Sequence, residues 1–154
     1  MPTTLPLVFH PDPRLRAMSE SIDSKDIPGL GDLWRDMAKT MKDNDGIGLA
    51  APQIGQNIRL IIVSTSDGPL AMFNPELIKK SILKEWGEEG CLSIPQTFGD
   101  VKRHKSVRCS FIDAEGNKRS IDAKGLLARV IQHEIDHING ILFIDKAKNI
   151  HTVK

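Results

Sequence analysis

The stretch GLLARVIQHEIDHING, residues 125–140, decides how this chain is organised. Leu126, Leu127, Val130, Ile131, Ile135 and Ile138 recur at helical spacing, Gly125 precedes them and Asn139-Gly140 supplies a stop, so the stretch reads as one amphipathic helix. His133 and His137 stand four positions apart on it and project from one face. Side chains at that spacing lie roughly 5–6 Å apart at Cβ, close enough for two ring nitrogens to reach one ion. Glu134 follows His133 directly and is placed to work on water rather than to bind the ion. The pattern is that of a metal-bound, water-activating site.

Two histidines leave such a site incomplete, because a catalytic metal of this type takes three protein ligands and keeps one position for water. The remaining candidates are His10, His104, His151, Cys91, Cys109 and the carboxylates. Cys91 lies in EEGCLSIP (residues 88–95), where Gly90 frees the backbone before the thiol and Pro95 stops regular structure after it. Cys109 lies in VRCSF (residues 107–111), whose alternation is that of a half-buried strand, with the sulfur turned inward beside Val107 and Phe111. Core packing accounts for Cys109 and accounts poorly for Cys91.

Composition bounds the rest. A chain of 154 residues makes one domain and can bury a real core. Its net charge of +1 comes from evenly mixed acids and bases with no basic stripe or acidic tail, so DNA and RNA are not expected partners. The first ten residues lack a charged region followed by an apolar core, and no apolar run approaches a membrane span, so neither secretion nor a membrane partner is expected. Two cysteines without a secretion signal fit free thiols in a reducing, cytoplasmic compartment.

The element pattern is α+β. Pro6, Pro11 and Pro13 predict an extended opening, with a short turn at Asp12–Arg16. After Pro28-Gly29 a helix carries Leu30, Leu33, Trp34, Met37 and Met41 on one face and ends near Asn44-Asp45-Gly46. Strands are expected at 59–63 and 70–73, the second ended by Asn74-Pro75. A hairpin follows, with strands at 107–113 and 118–123 flanking Glu115-Gly116-Asn117. In GIGLAAPQIG (residues 46–55) small residues let the backbone approach a ligand or another backbone closely. The absence of a following Gly-Lys-Ser/Thr argues against a phosphate loop, and Gln53 is the segment's one polar side chain able to donate a hydrogen bond.

Three of these segments together resemble the peptide deformylases. GIGLAAPQ (46–53) is similar to the family's first motif, EGCLS (89–93) to its second and QHEIDH (132–137) to its third. They occur in the family's order, and the resemblance covers nearly the whole chain. It implies one compact catalytic domain over residues 1–154, with antiparallel sheets around a central metal-motif helix. It implies Cys91, His133 and His137 as metal ligands and Glu134 as acid and base. Gln53, through its amide, and Leu92, through its backbone N–H, are the implied oxyanion donors, and Ile47, Gly48, Glu89 and Gly90 the implied groove. The implied reaction removes formyl from the N-terminal methionine of nascent peptides and releases formate. The implied metal is Fe²⁺, and Zn²⁺, Ni²⁺ or Co²⁺ can occupy the same Cys-His-His set.

Around that site, Asp136 is expected to pair with Arg103, and His10, His104 and His151 to make surface or local hydrogen bonds. Trp86 is expected either to wall the methionine pocket or to pack at its rim. Longer bacterial members continue into a basic C-terminal helix that engages the ribosome, whereas this chain stops at Lys154, so ribosome docking is the family property left open. Such a short form fits a truncated, organellar or phage-encoded member, acting in the host cytoplasm in the last case. Two rival readings remain. A zinc peptidase would take a third His or Glu ligand downstream of His137, and a structural metal module would need four closed ligands, commonly with Cys-x-x-Cys spacing, which is absent.

Overall fold

The computed structural model describes residues 1–153, and its centre is the apolar run Leu60–Val63, whose four side chains are completely buried. Successive strand side chains point to opposite faces, so a sheet holding such a run needs cover on both sides. The run belongs to β2 (Leu60–Thr65), in a five-stranded sheet with β1 (Gly48–Ala50), β3 (Gly68–Lys80), β6 (Ser106–Ile112) and β7 (Lys118–Lys124). The strand order is β1-β2-β3-β6-β7 and every pairing is antiparallel. On one face Ile61, Val63, Met72, Cys109 and Phe111 meet Ala128, Ile131, Ile135 and Ile138 of helix α2 (Gly125–Ile138). On the other, Leu60, Ile62 and Phe73 meet Met37 and Met41 of helix α1 (Gly31–Asp43). A second antiparallel sheet joins β4 (Lys84–Cys91), β5 (Ile94–His104) and β8 (Lys148–Thr152) in that order. Every residue of α2 from Val130 to Ile138 is buried, so the motif helix is central.

Helix α1 and the β6–β7 hairpin stand where the apolar periodicity predicts them. Two expected breaks do not occur. Asn74-Pro75 does not end β3; the register against β6 shifts between Phe73 and Glu76, and Asn74 takes a positive φ of 51°. A bulge there needs no ladder donor from Pro75, and the Asn74 amide is held by the backbone N–H and carbonyl of Ile22 at 2.8 and 2.7 Å. Pro95 likewise does not stop regular structure. The β4–β5 register runs from Gly90 opposite Phe98 to Cys91 opposite Ile94, so Pro95–Thr97 bulge out of the ladder. Strands β4, β5 and β8 escaped the pattern reading: β4 and β8 are mostly exposed, and the apolar residues of β5, Ile94, Phe98 and Val101, do not fall at period two.

Side-chain bonds fasten the β4–β5 hairpin to α2. Gln132 acts as a two-bond clip, its amide oxygen accepting from the His104 N–H at 3.0 Å and its Nε2 donating to the His104 carbonyl at 2.9 Å. Arg103 of β5 forks onto Glu89 of β4, with Nε and Nη2 each 2.9 Å from a carboxylate oxygen, and its Nη1 reaches Asp136 of α2 at 2.5 Å. The expected Asp136–Arg103 pair is therefore present, and Lys146 adds a second cation to Asp136 at 3.0 Å. Arg129 of α2 completes the group with a 2.7 Å bond to Glu89. Burial pushes the Glu89 carboxyl up, but the bonds from Arg103 and His133 win and hold it well below the usual carboxylate range. A depressed carboxylate pKa stabilises the fold above that usual range, and the stabilisation is lost as pH falls. Replacing Arg103 by Met leaves two buried carboxylates short of a cation, which should cost about 3 kcal/mol or more and move acid unfolding to higher pH. Urea unfolding of the purified variant checks this, and a loss below about 1 kcal/mol would contradict the network's role.

Candidate active site

The end of β4 and the middle of α2 bring three donor atoms together: one each from Cys91, His133 and His137, all within 4.8 Å of one another. Cys91 Sγ lies 3.2 Å from His137 Nε2, and the two imidazole centroids are 4.9 Å apart. His133 Nδ1 sits 2.9 Å from Glu89 Oε1, and since an ionised carboxylate only accepts, Nδ1 carries the proton. The Nε2 lone pair is then left for the cluster. Burial keeps His137 neutral and well below its ordinary pKa, with the nearby His133 and Arg103 charges acting in the same sense. Burial also opposes charge on His133, but Glu134, Cys91 and Glu89 outweigh it and raise that pKa well above the ordinary value, so without an ion these neighbours favour a proton on Nε2, and a bound cation would take that proton's place. Anionic surroundings and a sulfur-nitrogen-nitrogen donor set fit a transition-metal ion.

Glu134 lies beside this cluster. Burial is the main cause that pushes its carboxyl up to about 7; the Glu89 and Asp136 charges add to the shift, while His133 and Arg103 oppose it. Its Oε1 is buried without a hydrogen-bond partner. Gly48 of β1 makes the carboxylate's position tenable, because a Cβ there would stand 2.5 Å from Glu134 Oε2 and 2.8 Å from Val130 Cγ1. Gln53 is buried and held at its oxygen end by the Ala50 N–H at 2.9 Å, which turns Nε2 toward Cys91 Sγ at 3.4 Å and Ser93 Oγ at 3.2 Å. A buried acid, a fixed amide donor and two of the three clustered donors, Cys91 and His133, line one cleft of about 580 Å³.

Every expected groove residue lines that cleft: Ile47, Gly48, Glu89 and Gly90, together with Gln53, Cys91, Leu92, His133 and Glu134. His137 stands behind the wall. Glu89 is a wall residue whose carboxylate is occupied by Arg103, Arg129 and His133, so it orients a ring rather than reaching into the cleft. Gly90 makes room for the Phe98 ring, 2.8 Å from where a Cβ would be. Leu126, expected on the apolar face of α2, is 64% exposed and lines the cleft instead. Trp86 lies outside the lining, between the ammonium groups of Lys102 and Lys148. His104 and His151 make local bonds to the carbonyls of Ser81 and Asn149, as expected. Sequence reasoning missed Ser93, Gln132 and Arg129; the signal for Arg129 was its place four residues before His133 on the same helix face.

The profile described as Polypeptide deformylase matches residues 4–153. The chain belongs to this family. It is 43% identical to a peptide deformylase of Mesorhizobium japonicum over 145 residues, covering 91% of this chain and 82% of that one. It superposes on the peptide deformylase of Synechococcus elongatus, solved in complex with actinonin, with a TM-score of 0.88 at 42% identity, covering 94% of this chain and 79% of that one. It also superposes on the class I type b peptide deformylase of Acinetobacter baumannii bound to Met-Ala-Ser, with a TM-score of 0.89 at 32% identity over 95% and 99% of the two chains.

The two cysteines of this deformylase-family chain should behave oppositely. Both are free, but Cys109 is completely buried in the main core and burial pushes its thiol up to about 11. Cys91→Ser should strip most of the bound metal. Cys109→Ser should keep it and lose about 1–3 kcal/mol of stability for the buried hydroxyl. Metal-to-protein ratios of the two purified variants test this, and the reverse pattern would exclude Cys91 as a candidate ligand.

Proposed function

We propose that this cleft hydrolyses the formyl group of N-formylmethionyl nascent peptides, with Cys91, His133 and His137 as metal ligands and Glu134 as the group that moves the proton. The observation that carries the reading is the burial of Glu134 beside the three donors, in a space that Gly48 keeps open. A bound ion would supply Lewis-acid activation of water and of the formyl carbonyl. Glu134 takes a proton from the attacking water at its carboxylate and later gives it to the departing amine nitrogen, as the C–N bond breaks and formate leaves. A carboxyl with its pKa near 7 suits both halves of that exchange, and a cation beside it favours the ionised form that starts the cycle. Gln53 Nε2 and the Leu92 N–H donate to the oxyanion that develops on the formyl oxygen, where one such donor can contribute about 3 kcal/mol.

Ile47, Gly48, Glu89 and Gly90 form the groove along which the methionine-headed peptide lies. The Met-Ala-Ser complex of the Acinetobacter baumannii relative supports a peptide of that kind in this cleft. The whole reaction is carried by one domain acting on new polypeptides in the cytoplasm. A helix-borne peptidase is disfavoured, because Asp145 and His151, the Asp and His downstream of the motif helix, bond to Arg16 and to the Asn149 carbonyl instead.

Glu134→Ala should retain metal and lose formate release by roughly 10²–10⁴-fold, and Glu134→Asp should be nearly as poor because the shorter arm withdraws the carboxylate. Formate release from a formyl-Met peptide at matched metal occupancy measures this. Near-parental turnover in either variant would remove Glu134 from the acid–base role.

The metal is Fe²⁺ in this reading. Cys91, His133 and His137 would hold the ion and leave it open to water and substrate, an arrangement that would suit Fe²⁺ better than Zn²⁺ with its preference for four ligands, and a thiolate next to a redox-active ion would invite oxidation. One apo preparation reconstituted with Fe²⁺, Zn²⁺, Ni²⁺ or Co²⁺ should be most active with iron without oxygen. On aeration the iron form should lose activity while the nickel and cobalt forms keep it. A zinc form as fast as the iron form would refute the preference.

A further inference from the structure

The turn between β3 and β4 carries the most exposed aliphatic pair away from the chain's ends. Ile82 is 98% exposed and Leu83 67%. Side chains held so far into water are usually on loose loops, but this turn is tied down on both sides. Ser81 N donates to the Ser106 carbonyl at 2.9 Å, Ser81 Oγ donates to the Leu83 carbonyl at 2.7 Å, and Lys105 N donates to the same Leu83 carbonyl at 3.0 Å. Gly125 N then bonds to the Lys105 carbonyl at 3.1 Å, which brings the end of β7 and the start of α2 to the same corner.

Around the apolar tip stand five exposed lysines. Lys79 and Lys80 lie at the end of β3, Lys84 at the start of β4, Lys105 on the adjoining turn and Lys124 at the end of β7. None of the five forms an ion pair among the described residues. Of the acids here, Asp122 is paired with Arg108 at 2.8 Å and Glu85 stands exposed beside Lys84, so the five lysines keep the corner cationic. Two strand positions along β4, Trp86 is 48% exposed and stands between Lys102 and Lys148.

We propose that this corner is a peripheral docking surface for an anionic lipid bilayer. The order of the groups selects that partner. Aliphatic side chains lead, Lys79, Lys80 and Lys84 stand one to three residues from them along the chain, Lys105 and Lys124 are brought alongside by backbone hydrogen bonds, and a tryptophan follows. A bilayer offers acyl chains beneath a plane of phosphates, so the tip gains by burial while the lysines stay at the headgroups, where Trp also partitions. Cationic attraction falls off within a Debye length, and the aliphatic pair adds the second anchoring signal that stable association needs. A nucleic acid presents phosphate first and gives no return for the leading Ile82 and Leu83. A second copy of this chain would bring five lysines against five lysines. The cleft residue Leu126 follows Gly125 at this corner, so docking would hold one end of the cleft near the membrane surface.

Sedimentation of the metal-loaded enzyme with phosphatidylglycerol-containing vesicles, and with pure phosphatidylcholine vesicles, tests the surface. Binding is expected to the first and not the second, and to weaken as salt rises. The double change Ile82→Ser with Leu83→Ser should reduce vesicle binding by roughly tenfold or more with every lysine in place. Lys79→Glu with Lys80→Glu should abolish it. All four positions lie outside the cleft, so formate release from a soluble formyl-Met peptide should stay at the parental level and report intact folding. No binding to phosphatidylglycerol vesicles would overturn the proposal. So would binding that survives the loss of both aliphatic side chains, or preference for an RNA oligomer that removes the enzyme from vesicles.

Discussion

One buried carboxylate holds the working parts in register. Glu89 accepts hydrogen bonds from Arg103 on the neighbouring strand, from Arg129 on the motif helix and from His133 in the Cys91–His133–His137 cluster. It therefore joins β4, β5 and α2 at a single point and sets the tautomer of the His133 ring. Buried ion networks of this kind are often no more stabilising than apolar packing of equal volume, since desolvation offsets most of the attraction. Their use here is orientation: without an acceptor at Nδ1, the His133 ring could turn or tautomerise and withdraw Nε2 from the cluster. Asp136, braced by Arg103 and Lys146, fixes the other side of the same helix turn.

Given that frame, reactivity comes from what is left unsatisfied. Glu134 Oε1 and His137 Nδ1 are buried without partners, in a molecule where nearly every other buried side-chain polar atom is paired. Leaving a carboxylate oxygen bare in a low-dielectric cleft costs stability, and it also keeps the group ready to accept a proton. The cost is tolerable because β1 presents glycine at residue 48 and so approaches the carboxylate without a clash. Gln53 is the counter-example: its oxygen is spent on Ala50, and this leaves only the donor end facing the cluster.

The even overall charge is compatible with a strongly cationic corner because charge is redistributed by folding. Lys79, Lys80 and Lys84 are neighbours in sequence, but Lys105 and Lys124 join them only through the hydrogen bonds linking the β3–β4 turn, the β5–β6 turn and the start of α2. Asp122 at this corner is committed to Arg108, and the buried Glu89 and Asp136 are committed to Arg103.

The motif helix, the two histidines at one face, the acid between them and the inward-facing Cys109 were legible from the order of residues, because each depends on local periodicity of 3.6 or 2 positions. So were α1 and the β6–β7 hairpin. The choice of Cys91 as third donor could be narrowed by context but required the β4–β5 hairpin to carry it across to α2, a separation of more than forty residues. Strands β4 and β8 were illegible because exposed strands need no apolar alternation, β5 because its apolar residues do not alternate, and Asn74-Pro75 and Pro95 misled because a bulge removes the demand for the donor that proline lacks. The roles of Gly48, Ser93, Gln132 and Arg129 are properties of distance alone. No residue type announces that its neighbour in space will be a buried carboxylate, a histidine's partner or the backbone of another strand, so only the tertiary structure could decide them.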